Sequence, residues 1–199
     1  MERTEDTAKE HYIRFEGSIT PETTSRLIDA IREAKQSDAE KIVILFSSLG
    51  GSIYDGFLVA QTIETSKIPV QIHATNHVDS IANVIYLSAQ ERTAESYAKF
   101  YLHGASTGMM SMDERSLIDQ LSSLRTNNHR IAHYIAEHSI LPFTRVRALM
   151  SKGTTMSAQE AQKYKIVHKL CHMEVPTGSP MDEIVVVLPL RRNSDPTNT

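Results

Sequence analysis

Residues 41–52 read "KIVILFSSLGGS", a continuous apolar run that ends in two serines, a leucine and a pair of glycines. Short unbroken apolar runs of this kind are typical of strands that are buried on both faces of a parallel sheet. Paired glycines directly after such a strand let backbone N–H groups face a ligand where a side chain would intrude. We therefore expect a buried strand here, with a turn of functional interest at its end.

The segments on either side alternate between strand and helix patterns. Upstream, residues 11–17 have the composition of a strand, and residues 22–36 carry apolar positions at helical spacing. Downstream, we expect a helix after the glycines, a strand over 69–75 and another helix that begins at Ser80. This alternation predicts an α/β fold.

A long amphipathic helix is predicted in the second half of the chain, from Met112 to Ser139. Its apolar positions form one stripe: Leu117, Leu121, Leu124, Ile131 and Ile135. Such a stripe is hard to bury within one small domain, which favours a homo-oligomer built through this helix. The other predicted elements are a strand within 99–104, helices over 143–152 and 157–164, a strand over 165–170 and an added edge strand within 183–190.

Length and composition limit the number of domains. With 199 residues, of which 40% are hydrophobic, the chain supports one core of ordinary size. We expect a flexible N-terminal segment over 1–10, one domain over 11–175 and a C-terminal extension over 176–199. The extension is rich in Pro, Gly and polar residues outside its apolar run, so we expect it to be partly disordered.

Charge and hydropathy exclude several classes of function. The net charge is −3 without a block of basic residues, so the electrostatic footprint of a nucleic-acid-binding protein is missing. No window approaches the about 18 apolar residues of a membrane span, and the N-terminus lacks the apolar core of a secretory signal. The single cysteine, Cys171, cannot form an internal disulfide. We expect a cytoplasmic protein with neither nucleic-acid nor membrane partners.

Ser80 lies where a predicted strand gives way to a predicted helix. A serine there commonly caps the helix, but the position also suits a nucleophile, because free N–H groups and the helix dipole can stabilise an adjacent oxyanion. Gly50 and Gly51 are candidates for half of an oxyanion hole, and the N–H of Ile81 for the other half. His103, at the end of "KFYLH", is the candidate general base. Together these residues predict an acyl-transfer site.

Three motifs of the chain occur together in one known family. They are "SSLGGS" (47–52), "FYLHGAS" (100–106) and "MSAQEAQKYKIV" (156–167). They resemble "NSPGGS", the segment around the catalytic histidine and "LSAPEAVEYGLV" in the proteolytic subunits of Clp protease, which belong to the ClpP/crotonase superfamily. The spacing from Ser52 to Ser80 is also similar to that family's spacing from its glycine motif to its nucleophile. The likeness covers most of the chain.

The resemblance implies both a fold and an activity. The implied fold is an α/β superhelix of repeated ββα units, from which the long helix protrudes as a handle that packs ring against ring. Ser80 is implied as nucleophile, His103 as base, and the N–H groups of Gly51 and Ile81 as oxyanion hole. The implied activity is that of a serine endopeptidase without cofactor or metal, acting on peptides or unfolded proteins inside a homo-oligomer of stacked rings. Only about ten residues precede the first predicted strand, where family members carry their axial loops, so partnership with an ATP-driven unfoldase stays open.

The chain departs from the family at the third member of the catalytic triad. Counted back from "SAQEA", the family's aspartate falls on Gly153. An acid there holds the histidine tautomer and stabilises the imidazolium, and spoiling that role costs about 10⁴ in turnover in the serine-protease template. Thr154 or Thr155 is a candidate substitute, whereas Asp79 is acidic but adjacent to the nucleophile. We expect a serine–histidine dyad with a neutral or water-mediated orienting group, and an activity that is weaker than usual.

Other interpretations remain open at this point. One is a weak or inactive structural or binding protein on the same fold, with Ser80 as a helix cap; a crotonase-type acyl-CoA enzyme is less favoured. His129 and His133 have a spacing that can bind zinc, but no third ligand accompanies them, and a solvated helix face is the commoner use. Three methionines suit either an adaptable substrate groove or ordinary packing: Met109, Met110 and Met112.

Overall fold

The computed structural model describes residues 9–108, 111 and 113–186. Its strands are β1 (Glu10–Glu16), β2 (Lys41–Ser48), β3 (Val70–Asp79), β4 (Glu91–Ala94), β5 (Lys99–Leu102), β6 (Thr154–Ser157), β7 (Lys169–Leu170) and β8 (Met181–Val185). Its helices are α1 (Pro21–Gln36), α2 (Ile53–Glu64), α3 (Ala82–Leu87), α4 (Glu114–Glu137), α5 (Phe143–Lys152) and α6 (Ala158–Lys163). The predicted alternation of strands and helices is confirmed.

The strands of the described part form one eight-stranded sheet, whose main path runs β6-β5-β3-β2-β1-β8. Only the β5–β6 pairing is antiparallel among these strands. Strand β3 changes partner along its length, pairing with β4 over 71–74 and with β5 over 77–79. The carboxyl ends of β3 and β5 therefore lie side by side, which brings the segments that follow them to one edge of the sheet.

Several predicted boundaries differ from the structure. Strand β2 matches its prediction, but β3 continues past the predicted end at residue 75, because β5 gives its last residues a hydrogen-bonding partner. The strand predicted over 165–170 is wrong for most of its length. Lys165 has a φ of +58°, and Ile166 and Val167 are buried in the core instead of pairing in the sheet. Strands β4 and β6, each of four residues, were missing from the prediction.

The two halves of α4 have different surroundings. Ile131 and Ile135, in its C-terminal half, are buried against the domain. Leu117 and Leu121, in its N-terminal half, are 54% and 48% exposed. The predicted apolar stripe is therefore buried only at one end. The predicted first residue of this helix, Met112, lies outside the described residues, and α4 is capped by the side chain of Asp113, which accepts from the N–H of Ser116.

The C-terminal extension contributes a strand to the sheet. Strand β8 pairs in parallel with β1 at the edge of the sheet, and the buried Ile184 joins the core. It overlaps the predicted edge strand within 183–190, although residues 187–199 lie outside the described part. The division into segments at residues 10 and 175 stays a prediction. None of the described helices is long and apolar enough to cross a membrane.

Candidate active site

Ser80 forms the sharp turn between β3 and α3. Its φ is +60°, and Lys165 is the only other non-glycine residue of the described chain with a positive φ. The left-handed region is unfavourable for residues that carry a Cβ, and such strain persists only where the surrounding structure fixes the residue firmly. Ser80 is partly exposed at this turn, so its hydroxyl sits on a strained strand-to-helix corner with access to solvent.

The interpretation of Ser80 as a helix cap is wrong. The N-cap of α3 is Ile81, and no side chain caps this helix. The N–H of Ser80 donates to the carbonyl of Tyr101 at 2.8 Å, which extends the β3–β5 pairing by one residue. Strand β3 ends at Asp79, so Ser80, in its left-handed conformation, connects the strand to the N-cap of α3. The serine hydroxyl has no capping role.

The paired glycines pack against this turn. A Cβ on Gly50, whose φ is +93°, would lie 2.7 Å from the Cβ of Ser80 and 2.9 Å from the carbonyl oxygen of Asp79. A Cβ on Gly51 would lie 2.1 Å from the carbonyl oxygen of Ile19. Ile19 in turn holds the glycine turn on both sides, donating to the Gly50 carbonyl and accepting from the N–H of Ser52. Neither glycine position therefore has room for a side chain.

Two N–H groups in the segments that meet at Ser80, those of Gly51 and Ile81, differ from the N–H of Gly50 in their hydrogen bonding. The N–H of Gly50 donates to the hydroxyl of Ser48 at 3.1 Å. Within the described chain, by contrast, the N–H groups of Gly51 and Ile81 have no hydrogen-bond acceptor. Unpaired N–H groups that point at a carbonyl oxygen under attack can stabilise the negative charge that develops on it. Of the two predicted glycines, Gly51 is thus the one with a free donor.

The side chain of Ile81 is fully buried on the opposite side of the turn. It packs against α2, where a Cβ on Gly56 would lie 2.3 Å from the Cγ1 atom of Ile81. The absence of a side chain at Gly56 therefore creates the space for Ile81. This contact fixes Ile81, the residue that follows Ser80.

His103 follows β5, two residues after the carbonyl that binds Ser80. Its ring stacks on that of Tyr101, with centroids 4.9 Å apart and an interplanar angle of 22°. Within the described chain, no hydrogen bond reaches either ring nitrogen, and none joins His103 to Ser80. Catalytic hydrogen bonds are often long in unliganded sites and tighten with substrate. The loop after His103 is held by Asn128 of α4, whose Oδ1 accepts from the N–H of Ala105 at 2.7 Å.

The position of the missing acid lies next to Tyr101. Gly153 ends α5 with a φ of +65°, and a Cβ there would lie 2.9 Å from the Tyr101 hydroxyl oxygen. Tyr101 therefore contacts both Gly153 and His103. The Thr154 hydroxyl donates to the carbonyl of Leu149 at 3.0 Å, so it has a partner other than the histidine. Thr155 is exposed and pairs with Tyr101 in the β5–β6 register.

Asp79 has its own histidine partner. Its Oδ2 lies 3.3 Å from Nδ1 of His77, while its Oδ1 is buried without a partner in the described chain. Burial raises the pKa of the Asp79 carboxyl, and the positive ends of His77 and Lys99 oppose that rise. Asp79 faces Tyr101 in the β3–β5 register. The acid closest in sequence to Ser80 therefore pairs with His77.

The remaining candidates lie elsewhere. His133 pairs with Glu137 along α4, with 3.2 Å between Nδ1 and Oε2, and His129 packs against Phe143. No group of three or more potential metal ligands occurs in the part of the chain that the structure describes. The choice between a methionine-lined groove and ordinary packing, which the sequence favoured, concerns Met109, Met110 and Met112, and these lie outside the described residues.

Sequence reasoning missed two residues of this region, Tyr101 and Asn83. Asn83 is fully buried in α3, and its Nδ2 donates to three backbone carbonyls around Ser80. A single polar residue within the otherwise apolar helix "ANVIYL" was its available signal. For Tyr101 the signal was its position two residues before His103, since residues i and i+2 of a strand share one face.

Comparisons with known proteins agree with one another. A family model described as Clp protease matches residues 2–174. The ATP-dependent Clp protease proteolytic subunit of Pleurastrum terricola is 22% identical over 165 residues, which cover 80% of this chain and 82% of that protein. A subunit of the same name from Bacteroides thetaiotaomicron is 28% identical over 134 residues, 65% of this chain and 59% of that one, so the match spans about three fifths of this relative.

The fold has a close likeness among solved structures. A mutant of ClpP1 from Listeria monocytogenes aligns with a TM-score of 0.75 over 82% of this chain and 92% of that chain. The sequences are 19% identical over this alignment. At that identity the likeness concerns the fold, and it confirms the predicted fold class.

Proposed function

Because the chain belongs to the Clp protease family, we propose that it is a serine endopeptidase that hydrolyses peptides or unfolded proteins. Ser80 is the nucleophile, His103 is the general base, and the N–H groups of Gly51 and Ile81 form the oxyanion hole. The observation that carries the proposal is the strained φ of +60° at Ser80, which packs against Gly50. The lack of an acceptor for the N–H groups of Gly51 and Ile81 in the described chain supports it. A serine held in this way presents its hydroxyl to a carbonyl carbon.

The mechanism uses these four residues in order. His103 removes the proton of the Ser80 hydroxyl while the oxygen attacks the scissile carbonyl, and the resulting oxyanion accepts hydrogen bonds from the N–H groups of Gly51 and Ile81. The imidazolium then protonates the leaving amine, which leaves an ester on Ser80. Water, deprotonated by His103, hydrolyses this ester and regenerates the free serine. No cofactor takes part in these steps.

The proposed enzyme works without the usual aspartate, since Gly153 stands at that position. Only the stack on Tyr101 and the loop bond to Asn128 hold His103 from within the described chain. An imidazolium without a carboxylate partner is less stabilised, so the activity should be low relative to enzymes with a complete triad.

We extend the proposal to a cytoplasmic homo-oligomer of stacked rings that encloses the active sites. The exposed apolar side chains on the N-terminal half of α4 support it, since a patch of this kind commonly marks an interface. Partnership with an ATP-driven unfoldase is to be tested with the assembled oligomer.

One alternative has an observation in its favour. A structural or binding protein on this fold, with hydrolysis lost, agrees with the absence of a hydrogen bond between Ser80 and His103 within the described chain. No feature of the site favours an acyl-CoA enzyme over these two proposals.

Labelling with a fluorophosphonate, followed by peptide mapping, tests the proposal directly. We expect label on Ser80 in the wild type, and loss of both labelling and peptide hydrolysis in Ser80→Ala. Ser96→Ala is the matched control, because Ser96 is an exposed serine in the loop before β5. A wild type that is neither labelled nor active, or an active Ser80→Ala variant, would contradict the proposal.

The oligomer is tested separately by sedimentation velocity at micromolar concentration. Ile118, on the exposed half of α4, is 56% exposed, and Ile140, after the end of α4, is 57% exposed. We expect Ile118→Glu to dissociate the assembly because it places a charge in an apolar interface. Ile140→Glu should leave the assembly intact. A monomeric wild type would contradict the proposed assembly without affecting the assignment of Ser80.

A further inference from the structure

Asn83 is the residue of the active-site region that the peptidase mechanism leaves unused. It is fully buried in the first turn of α3. Its Nδ2 lies 3.0 Å from the carbonyl oxygen of Val78 and 3.1 Å from those of Ser80 and Tyr101. An amide has two N–H hydrogens, so at least one is shared between two of these carbonyls. One side chain thus contacts the end of β3, the turn and the end of β5.

These bonds add to two backbone bonds at the same turn. The N–H of Ser80 donates to the Tyr101 carbonyl at 2.8 Å, and the N–H of Asn83 donates to the Ser80 carbonyl at 3.1 Å. The Asn83 amide therefore donates to two carbonyls, those of Ser80 and Tyr101, that also accept the backbone hydrogen bonds of this turn. Because an unfavourable backbone conformation persists only where its surroundings fix it, this second set of bonds restrains the left-handed conformation of Ser80.

Part of the hydrogen bonding of Asn83 is redundant for the fold. The Oδ1 of Asn83 is buried and has no partner in the described chain. A buried oxygen without a partner lowers stability, and an apolar side chain of similar size avoids that cost. If the Asn83 amide is removed, the carbonyls of Ser80 and Tyr101 each keep a backbone donor, and the carbonyl of Val78 loses its side-chain donor. What the amide adds is a second set of hydrogen bonds between the turn after β3, where Ser80 lies, and β5, which leads to His103.

We propose that Asn83 is a positioning residue for the nucleophile: its amide ties the Ser80 turn to β5, the strand that leads to His103. The amide sets the direction of the Ser80 hydroxyl and of the adjacent Ile81 N–H, without contacting substrate. This inference rests on the proposed peptidase function.

The test compares Asn83→Leu with Tyr86→Phe in the full-length protein. Both residues are fully buried in α3, and the Tyr86 hydroxyl donates to the carbonyl of Thr93 at 2.9 Å, away from Ser80. We expect Asn83→Leu to lower kcat for a fluorogenic peptide by roughly 10- to 100-fold with KM nearly unchanged, because small displacements of reacting groups cost rate and not binding. The rate of fluorophosphonate labelling should fall in parallel.

The control separates positioning from stability. Tyr86→Phe removes a buried hydrogen bond from the same helix, so we expect a lower Tm with kcat within about twofold of the wild type. If both variants follow one relation between Tm and kcat, Asn83 acts only through stability and the inference is wrong. Asn83→Ala is the second variant if Asn83→Leu does not fold, and failure of both to fold overturns the inference.

The outcome also distinguishes this inference from the function on which it rests. An active wild type, an inactive Ser80→Ala and an Asn83→Leu variant with wild-type kcat would overturn the role of Asn83 alone. A wild type that resists labelling and lacks hydrolysis would overturn the proposed function, and the positioning role with it.

Discussion

The turn at Ser80 and the end of β5 at His103 lie side by side, yet the structure holds them very differently. Ser80 is fixed through its N–H, its carbonyl and its contact with Gly50. Among the described residues, the His103 side chain has one aromatic stack, on Tyr101, and a hydrogen bond reaches only the loop behind it. The Ser80 side of the site is therefore built by backbone geometry, whereas the His103 side depends on one neighbouring ring.

The difference between these two regions indicates which part of the site can change in sequence while the fold is kept. The left-handed conformation of Ser80 is strained, so several contacts must hold it at once. Loss of one of these contacts would let the turn relax. An imidazole at the end of a strand requires little from the backbone, so its orienting partner can be lost while the sheet remains intact. Gly153, the position where the resemblance to the family predicts an acid, is consistent with that asymmetry.

The largest effect should come from Gly50→Ala, which disturbs the contact between the glycine turn and Ser80. Its Cβ would meet the Cβ of Ser80 at 2.7 Å, so the nucleophile must move, and we expect kcat/KM to fall by at least ~100-fold. Gly178→Ala is the matched control, since Gly178 also has a positive φ, +87°, but nothing lies within 4 Å of its Cβ position. The control should lose about 1 kcal/mol of stability and keep its activity. Equal losses of activity in both variants would mean that backbone strain, and not the contact with Ser80, is responsible.

The second prediction concerns the loosely held side of the site, at His103, and introduces an acid at Gly153. Gly153→Asp alone should give no gain in kcat/KM, because the new Cβ would lie 2.9 Å from the Tyr101 hydroxyl oxygen. Tyr101→Phe removes that oxygen and keeps the aromatic ring. In the Tyr101→Phe background, we expect Gly153→Asp to raise kcat/KM by up to about 10-fold, since an acid there stabilises the imidazolium. A gain from Gly153→Asp alone that matches the double variant would show that the tyrosine hydroxyl is no obstacle.

A smaller effect is expected at the loop behind the base. Asn128→Leu removes the acceptor of the Ala105 N–H and frees the loop after His103. We expect kcat to fall by roughly 3- to 10-fold, less than for Gly50→Ala, because the loop acts on the histidine only through the chain. Peptide hydrolysis measures this, with Asn127→Leu, at the preceding position of α4, as the control. A kcat that Asn128→Leu leaves unchanged would mean that the stack on Tyr101 suffices to position His103.

The sequence predicted those parts of the site whose signals are local. The apolar run before Gly50 and Gly51 identified β2 and its turn, and the family motifs pointed to Ser80 and His103. The left-handed conformation of Ser80 was missed, because it follows from the pairing of β3 with β5, two segments more than twenty residues apart. The contacts of Asn83 with three carbonyls are likewise tertiary.

Other elements escaped prediction for related reasons. Strands β4 and β6 have four residues each, too few for a periodic pattern to stand out, and the neighbouring strands define them. The stripe on α4 was predicted as one face, but periodicity does not tell which part of a helix meets its own domain. The buried Ile131 and the exposed Leu117 belong to the same stripe and have opposite surroundings.

The smallest effect concerns Asp79, the last residue of β3 before the nucleophile. Burial raises the pKa of its carboxyl above the ordinary value, despite the nearby His77 and Lys99. In the pH range between the unfolded and the raised folded pKa, the native state binds more protons than the unfolded state, so stability falls as pH rises. Above the raised pKa, the folded protein carries a buried carboxylate that Asp79→Asn does not have. We therefore expect the variant and the wild type to have similar Tm values at about pH 4 and the variant to have the higher Tm at about pH 7. Asp38→Asn, at an exposed carboxylate after α1, controls for general charge effects. A variant that is less stable than the wild type at neutral pH would show that the ion pair with His77 outweighs burial, and that the firmly held side of the site includes this pair as well as the backbone.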